Sequence, residues 1–118
     1  MNHKPITKRV KRILRIKQEL VDLGEMRPGT LSKQYNVCGN PQCRCKDSPH
    51  PKKHGPYYQL SYTRHGKSKS EHVKKEMLTT VKNQVRNYKR FVKLSNEWID
   101  LSIELAQLQK TERQDSSF

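Results

Sequence analysis

An α+β fold is predicted by three features of the sequence. Apolar residues recur at helical spacing over residues 6–23 and again over 81–108, a loop dense in cysteine, histidine, glycine and proline lies between them, and an alternating aromatic-rich stretch follows that loop. The expected architecture is an N-terminal helix, a zinc knuckle with a β-hairpin, and a long C-terminal helix packed as a helical hairpin or coiled-coil-like bundle. Residues 1–110 read as a single domain. Its parts are a basic amphipathic helix at 1–25, the knuckle and hairpin at 30–73 and the long helix at 74–110, with 111–118 a disordered tail by composition.

Pro5 suits the first turn of a helix, and Val10, Ile13, Leu14, Ile16, Leu20, Val21 and Leu23 continue it with a 3.6-residue period. Gly24 and Pro28 predict its end. The other side carries Lys4, Lys8, Arg9, Lys11, Arg12, Arg15 and Lys17. A membrane-surface role is disfavoured by Glu19, Asp22 and Glu25, so this side reads as a solvated or phosphate-facing surface. After Arg27-Pro28-Gly29, residues Thr30 to Tyr35 fit either a helical turn or a short strand leading into the loop.

All 3 cysteines of the chain, Cys38, Cys43 and Cys45, fall in the loop, and His50 and His54 follow. Thiolates and imidazoles suit zinc, which takes four such ligands tetrahedrally in structural sites. The expected ligands are Cys38, Cys43, Cys45 and His54, with His50 the alternative fourth. The C-x4-C-x-C spacing differs from the paired C-x-x-C of common zinc ribbons, which leaves free thiols or a disulfide as the competing readings. An odd cysteine count and the lack of a secretory signal disfavour the disulfide. Exposed thiols among lysines would be a redox liability without a metal.

From Tyr57 to Arg64 the residues alternate, with Tyr58, Leu60 and Tyr62 on one face. His65-Gly66 predicts a two-residue turn and residues 67–73 a returning polar strand. An isolated hairpin is marginal in water, so this one requires the metal or the helices behind it. Residues 74–110 contain no glycine or proline. Val81, Val85, Tyr88, Val92, Ser95, Ile99, Ser102 and Ala106 step as a heptad seam, and Phe91, Leu94, Trp98, Leu101, Leu105 and Leu108 form a second one. The expected packing and dimer residues are Val85, Tyr88, Phe91, Val92, Leu94, Trp98, Ile99, Leu101 and Leu105. Two seams offer contact to two neighbours, the N-terminal helix and a partner's copy of the long helix.

Only 31% of the 118 residues are apolar, which is little from which to build a core and makes metal or oligomer stabilisation the expectation. With 25 Lys and Arg against 11 Asp and Glu the formal charge is +14, which calls for a polyanionic partner. The last block, 96–118, reverses this trend with five acidic and two basic residues. No stretch is long and apolar enough to span a membrane, and the N-terminus lacks the apolar run of a signal peptide, so the expected location is the cytoplasm.

The segments Cys38-Gly39-x-x-x-Cys43-x-Cys45, His54-Gly55-Pro56-Tyr57-Tyr58, Leu60-Ser61-Tyr62 and Gly66-Lys67 resemble a family of small basic prokaryotic proteins. That family is of unknown function and is often met in mobile elements, sometimes under transposase-like labels. The resemblance runs over roughly residues 27–105. It implies a prokaryotic or phage origin and a nucleic-acid setting, and it favours His54 over His50 because His54 stands in the matching His-Gly-Pro-Tyr segment.

The leading functional expectation is a zinc-stabilised nucleic-acid-binding accessory or regulatory factor, with DNA favoured over RNA. Arg44, Lys46, Lys52, Lys53, Arg64, Lys67 and Lys69 are the expected phosphate contacts, and Tyr57 and Tyr58 are candidates to stack on bases. The alternative is a helix-mediated dimeric adaptor that docks a larger recombination or replication enzyme. No enzyme activity is expected. A site with four protein ligands has no open position for water, and Asp47 is the one acid between Pro28 and Thr63.

Overall fold

The computed structural model describes residues 4–46 and 52–116. His50 lies outside the described residues, as do residues 117 and 118 of the expected tail. The element order is α1 (Lys4–Asp22), β1 (Thr30–Asn36), β2 (His54–Arg64), β3 (Lys67–Val73) and α2 (Leu78–Ser116), with single 3-10 turns at Arg44–Lys46 and Lys75–Met77. This is the α+β arrangement expected from the periodicities. The chain divides into two compact units, one of Met26–Arg86 and one in which the residues up to Glu25 join those from Asn87 onward.

Of the two readings of residues 30–35, helical turn or short strand, the structure takes the strand, and it joins the expected hairpin. Residues 30–36 form a third strand, giving the antiparallel order β1-β2-β3. Leu31 pairs with Leu60, and Lys33 with Tyr58, while Tyr58 pairs with Val73 across the other ladder. Pleating therefore puts Leu31, Tyr58, Leu60 and Val73 on one face. Leu60, Val73, Val81 and Val85 form its buried core, with Leu31, Tyr58 and Leu78 packed against it. The third strand supplies the cover that a two-stranded hairpin lacks. His65 and Gly66 both have positive φ, 54° and 74°, the type I′ geometry that matches strand twist.

In the helical unit Ile13, Ile16 and Leu94 are buried. Arg9 pairs with Glu104, Arg12 with Glu97 and Arg90 with Glu19, so α1 runs antiparallel to this part of α2. Of the expected packing residues here, Leu94 is buried, Tyr88, Val92, Trp98, Leu101 and Leu105 are half-buried, and Phe91 and Ile99 are exposed. Val85 lies instead in the sheet core. The helix continues to Ser116, past the end read from the sequence at Lys110.

Arg12 donates two parallel hydrogen bonds of 2.8 Å to the two carboxylate oxygens of Glu97. These bonds, more than Coulombic attraction, hold the Glu97 carboxyl below its ordinary 4.5. A depressed folded-state pKa contributes stability that is present above 4.5 and lost as pH falls through the lower value. The helical unit is therefore expected to lose melting temperature on acidification from about 4.5 down through the lower value. Glu97→Gln should flatten this part of the profile, and an identical acid slope in the variant would refute the assignment. The effect is small, because the pair is partly solvated.

Candidate metal centre

The predicted ligands all come from the connection between β1 and β2. Cys38 follows the end of β1, Cys43 closes a turn, Cys45 sits in the 3-10 turn and His54 opens β2. The turn is built locally: the Cys43 amide donates to the Asn40 carbonyl at 3.2 Å, the Gln42 amide to the Asn40 side chain at 3.0 Å, and the Lys46 amide to the Cys43 carbonyl at 3.1 Å. Asn40 thus orients the cysteines on either side of it, a role that a ligand search by residue type misses. An asparagine two residues before the amide that it accepts is the available sequence signal.

The ligand atoms of Cys38, Cys43, Cys45 and His54 lie within 4.8 Å of one another. Cys38 Sγ is 3.6 Å from Cys45 Sγ, and Cys43 Sγ is 3.1 Å from His54 Nε2. Cys45 is buried and the other three are half-buried. The four converge on one point and could hold a metal ion. The strands meet closely here: Gly55 has φ 136°, and a Cβ on it would stand 2.8 Å from the Gln34 carbonyl oxygen and 3.0 Å from the Tyr35 ring. A side chain at residue 55 would push β1 off β2 beside His54.

The electrostatics of the three thiols differ. Cys38 is pulled down to about 6, chiefly by a backbone hydrogen bond with Asn40 and then by His54 and Cys43. Burial pushes Cys45 up. One sulfur is thus anionic near neutral pH before any ion arrives, and the buried one must give up its proton to a metal.

The basic residues expected to touch phosphate are all exposed: Arg44 and Lys46 on the 3-10 turn, Lys52 and Lys53 just before β2, and Arg64, Lys67 and Lys69 at the far end of the hairpin. The two tyrosines separate. Tyr58 packs against the sheet core, whereas Tyr57 is exposed on the opposite face beside a shallow groove lined by Asn36, Val37, Cys38 and His54. That open face holds no charged residue. It presents Thr30, Ser32, Gln59, Ser61, Thr63, Ser68, Ser70 and His72, with Ser61 and Ser70 hydroxyls 3.0 Å apart and those of Thr63 and Ser68 2.9 Å apart. In a chain of charge +14 this confines the sheet's cations to the other face and the tip.

A family model described as a domain of unknown function (DUF6788) matches residues 6–83. The chain belongs to this family. The match takes in α1, the sheet and all four Cys/His positions, and it ends in the early turns of α2, so it begins and stops earlier than the resemblance read from the motifs. No curated protein and no solved structure matches the chain. No helix among the described residues is long and apolar enough to cross a membrane.

Proposed function

We propose that the chain is a zinc-stabilised nucleic-acid-binding protein whose contact element is the tip of the β2–β3 hairpin. The observation that carries this reading is a like-charge pair. Arg64 and Lys67 stand directly opposite each other in the ladder, with Lys69 opposite Tyr62 on the same face. Like charges in this position destabilise a hairpin. None of the three has an ion pair among the described residues, and the nearby acid, Glu71, is held by Arg27. A polyanion bound at the tip would offset that repulsion.

The tip also has the right form. β1 stops pairing at Thr30 opposite Ser61, so the rungs from Tyr62 to Arg64 and Lys67 to Lys69 are a two-stranded ribbon. Such a ribbon fits the major groove of DNA, which favours duplex over RNA, whose deep narrow groove excludes it. Arg44, Lys46, Lys52 and Lys53 add cations on the metal loop.

Zinc is the ion of choice, because three thiolates and one imidazole suit it. At Zn–S of about 2.3 Å a tetrahedral site has S···S edges of about 3.8 Å, close to the 3.6 Å between Cys38 and Cys45. With four protein ligands the ion is structural, and hydrolysis at the metal is not expected. The setting in a mobile element or phage, as an accessory or regulatory factor, is supported by the sequence resemblance alone.

The test is duplex DNA binding by the zinc-loaded protein across a salt series. Each phosphate contact contributes about −0.9 to the slope of log K against log salt. Replacing Arg64, Lys67 and Lys69 together by alanine is expected to weaken binding and to flatten the slope by nearly three contacts. An unchanged slope and affinity would remove the hairpin tip as the contact element.

A further inference from the structure

We infer that α1 carries a second contact for nucleic acid, a row of cations that lies along one run of backbone phosphates without reading sequence; the inference rests on the nucleic-acid reading of the hairpin tip. The fold sorts the seven cations of α1. Arg9 and Arg12 are paired with Glu104 and Glu97 of α2, and Lys17 lies 5.1 Å from the centre of the Trp98 ring. Lys8, Lys11 and Arg15 are exposed and make no ion pair among the described residues. At 100° per residue these three fall within about 60° of one another, and their midline is about 140° round the helix from that of the buried Ile13 and Ile16. They form a solvent-facing row about 10.5 Å long.

The row is unfavourable in the free chain on three counts. Its members stand three and four residues apart, where like charges on a helix repel. The first turn of α1 holds no acid, so the positive end of the helix dipole adds to their charge. The acids at this level are already engaged, Glu97 and Glu104 by Arg12 and Arg9 and Glu19 by Arg90, which leaves Asp100 of α2 against three cations. A polyanion laid along the row offsets all three. Lysine and arginine on a convex helix face supply phosphate contact, the sequence-independent part of nucleic-acid binding. On the same line Asp22 follows about 10.5 Å beyond Arg15, so the phosphates run along the N-terminal part of the helix, where Lys4, Thr7, Lys8 and Lys11 line a shallow hollow. An anionic membrane offers the same phosphates, but a flat surface would also meet Asp22 and Asp100. A nucleic-acid strand is narrow and lies clear of both.

The test is a salt series on the full zinc-loaded chain with duplex DNA of mixed sequence, each variant checked for retained helical circular dichroism. Lys8→Ala, Lys11→Ala and Arg15→Ala are combined, since alanine favours the helix. This triple is expected to make the slope of log K against log salt shallower by about 2.7, so that a fourfold rise in salt costs the wild type about 40-fold more affinity than the variant. The glutamine triple is expected to behave alike. Alanine at Lys74, Lys75 and Lys110, exposed cations outside both surfaces, lowers the net charge equally and is expected to leave the slope nearly unchanged. An unchanged slope in the α1 variants, while the hairpin variant flattens, would overturn this inference and leave the hairpin reading standing. A wild type without affinity for DNA would overturn both. Equal flattening by the Lys74, Lys75 and Lys110 variant would overturn it as an effect of net charge alone. α1 variants that keep DNA affinity and lose binding to phosphatidylserine vesicles would overturn it in favour of a membrane.

Discussion

Removing the metal is expected to unfold the sheet unit and spare much of the helical unit. Binding of a structural zinc couples about 10–16 kcal/mol to folding. The sheet core has only four buried side chains, Leu60, Val73, Val81 and Val85, and burial of each is worth about 1.5–3 kcal/mol. The metal is therefore the larger single term. Chelation, or Cys45→Ser at the buried ligand, should abolish the dispersed β-sheet amide signals in NMR spectra while leaving substantial helical circular dichroism. An unchanged sheet spectrum after chelation would disprove a structural metal. Acid should mimic the chelator. Protons compete with the ion for the sulfurs, from higher pH at Cys45, which burial pushes up, and at Cys38 only below about 6. Metal affinity therefore falls as pH drops and falls more steeply below that value.

The second large effect is expected at Leu60. It is fully buried, it sits in the central strand, and it faces Leu31 on one side and Glu71 on the other in the ladder. Leu60→Ala should cost about 2–5 kcal/mol in the zinc-loaded protein, measured by denaturant unfolding. Met77→Ala, at a site 47% exposed, is the comparison and should change stability by no more than about 0.5 kcal/mol. Equal costs at the two sites would mean that the sheet has no core of its own and is held by the metal alone.

The ligand set was legible because cysteine and histidine have few other reasons to cluster in a loop punctuated by glycine and proline. The hairpin was legible because Tyr58, Leu60 and Tyr62 alternate and His65-Gly66 supplies the turn. β1 was legible only as one of two alternatives, a helical turn or a short strand, since Leu31 is its one strongly apolar inward residue and the rest of Thr-Leu-Ser-Lys-Gln-Tyr-Asn is polar; what decides for the strand is pairing with β2, a partner distant in sequence. Heptad stepping in α2 grouped the residues that share a face but not what covers them. Val81 and Val85 of the first seam went under the sheet while Ile99 of that seam is 56% exposed, and Leu94 of the second is buried in the helical unit. The uncharged open face of the sheet was written in the alternate serines and threonines of 59–72, and the surrounding lysines masked it.

The two connections in the sheet differ greatly in length. β2 and β3 are joined by His65 and Gly66, whereas residues 37–53 separate β1 from β2. A two-residue turn lets the C-terminal hairpin zip in about 1–10 μs, while the long connection pays a closure entropy that the ion relieves by gathering its ends. With a metal bound as proposed, assembly of the sheet is expected to have a fast local step and a slow one whose rate follows the supply of ions. In a nascent chain β1 leaves the ribosome before β2, its one partner in the sheet, and until the two pair it is a polar strand with both edges open. The lysine at its centre, Lys33, is the kind of residue that keeps such a strand from pairing with a neighbouring chain while it waits.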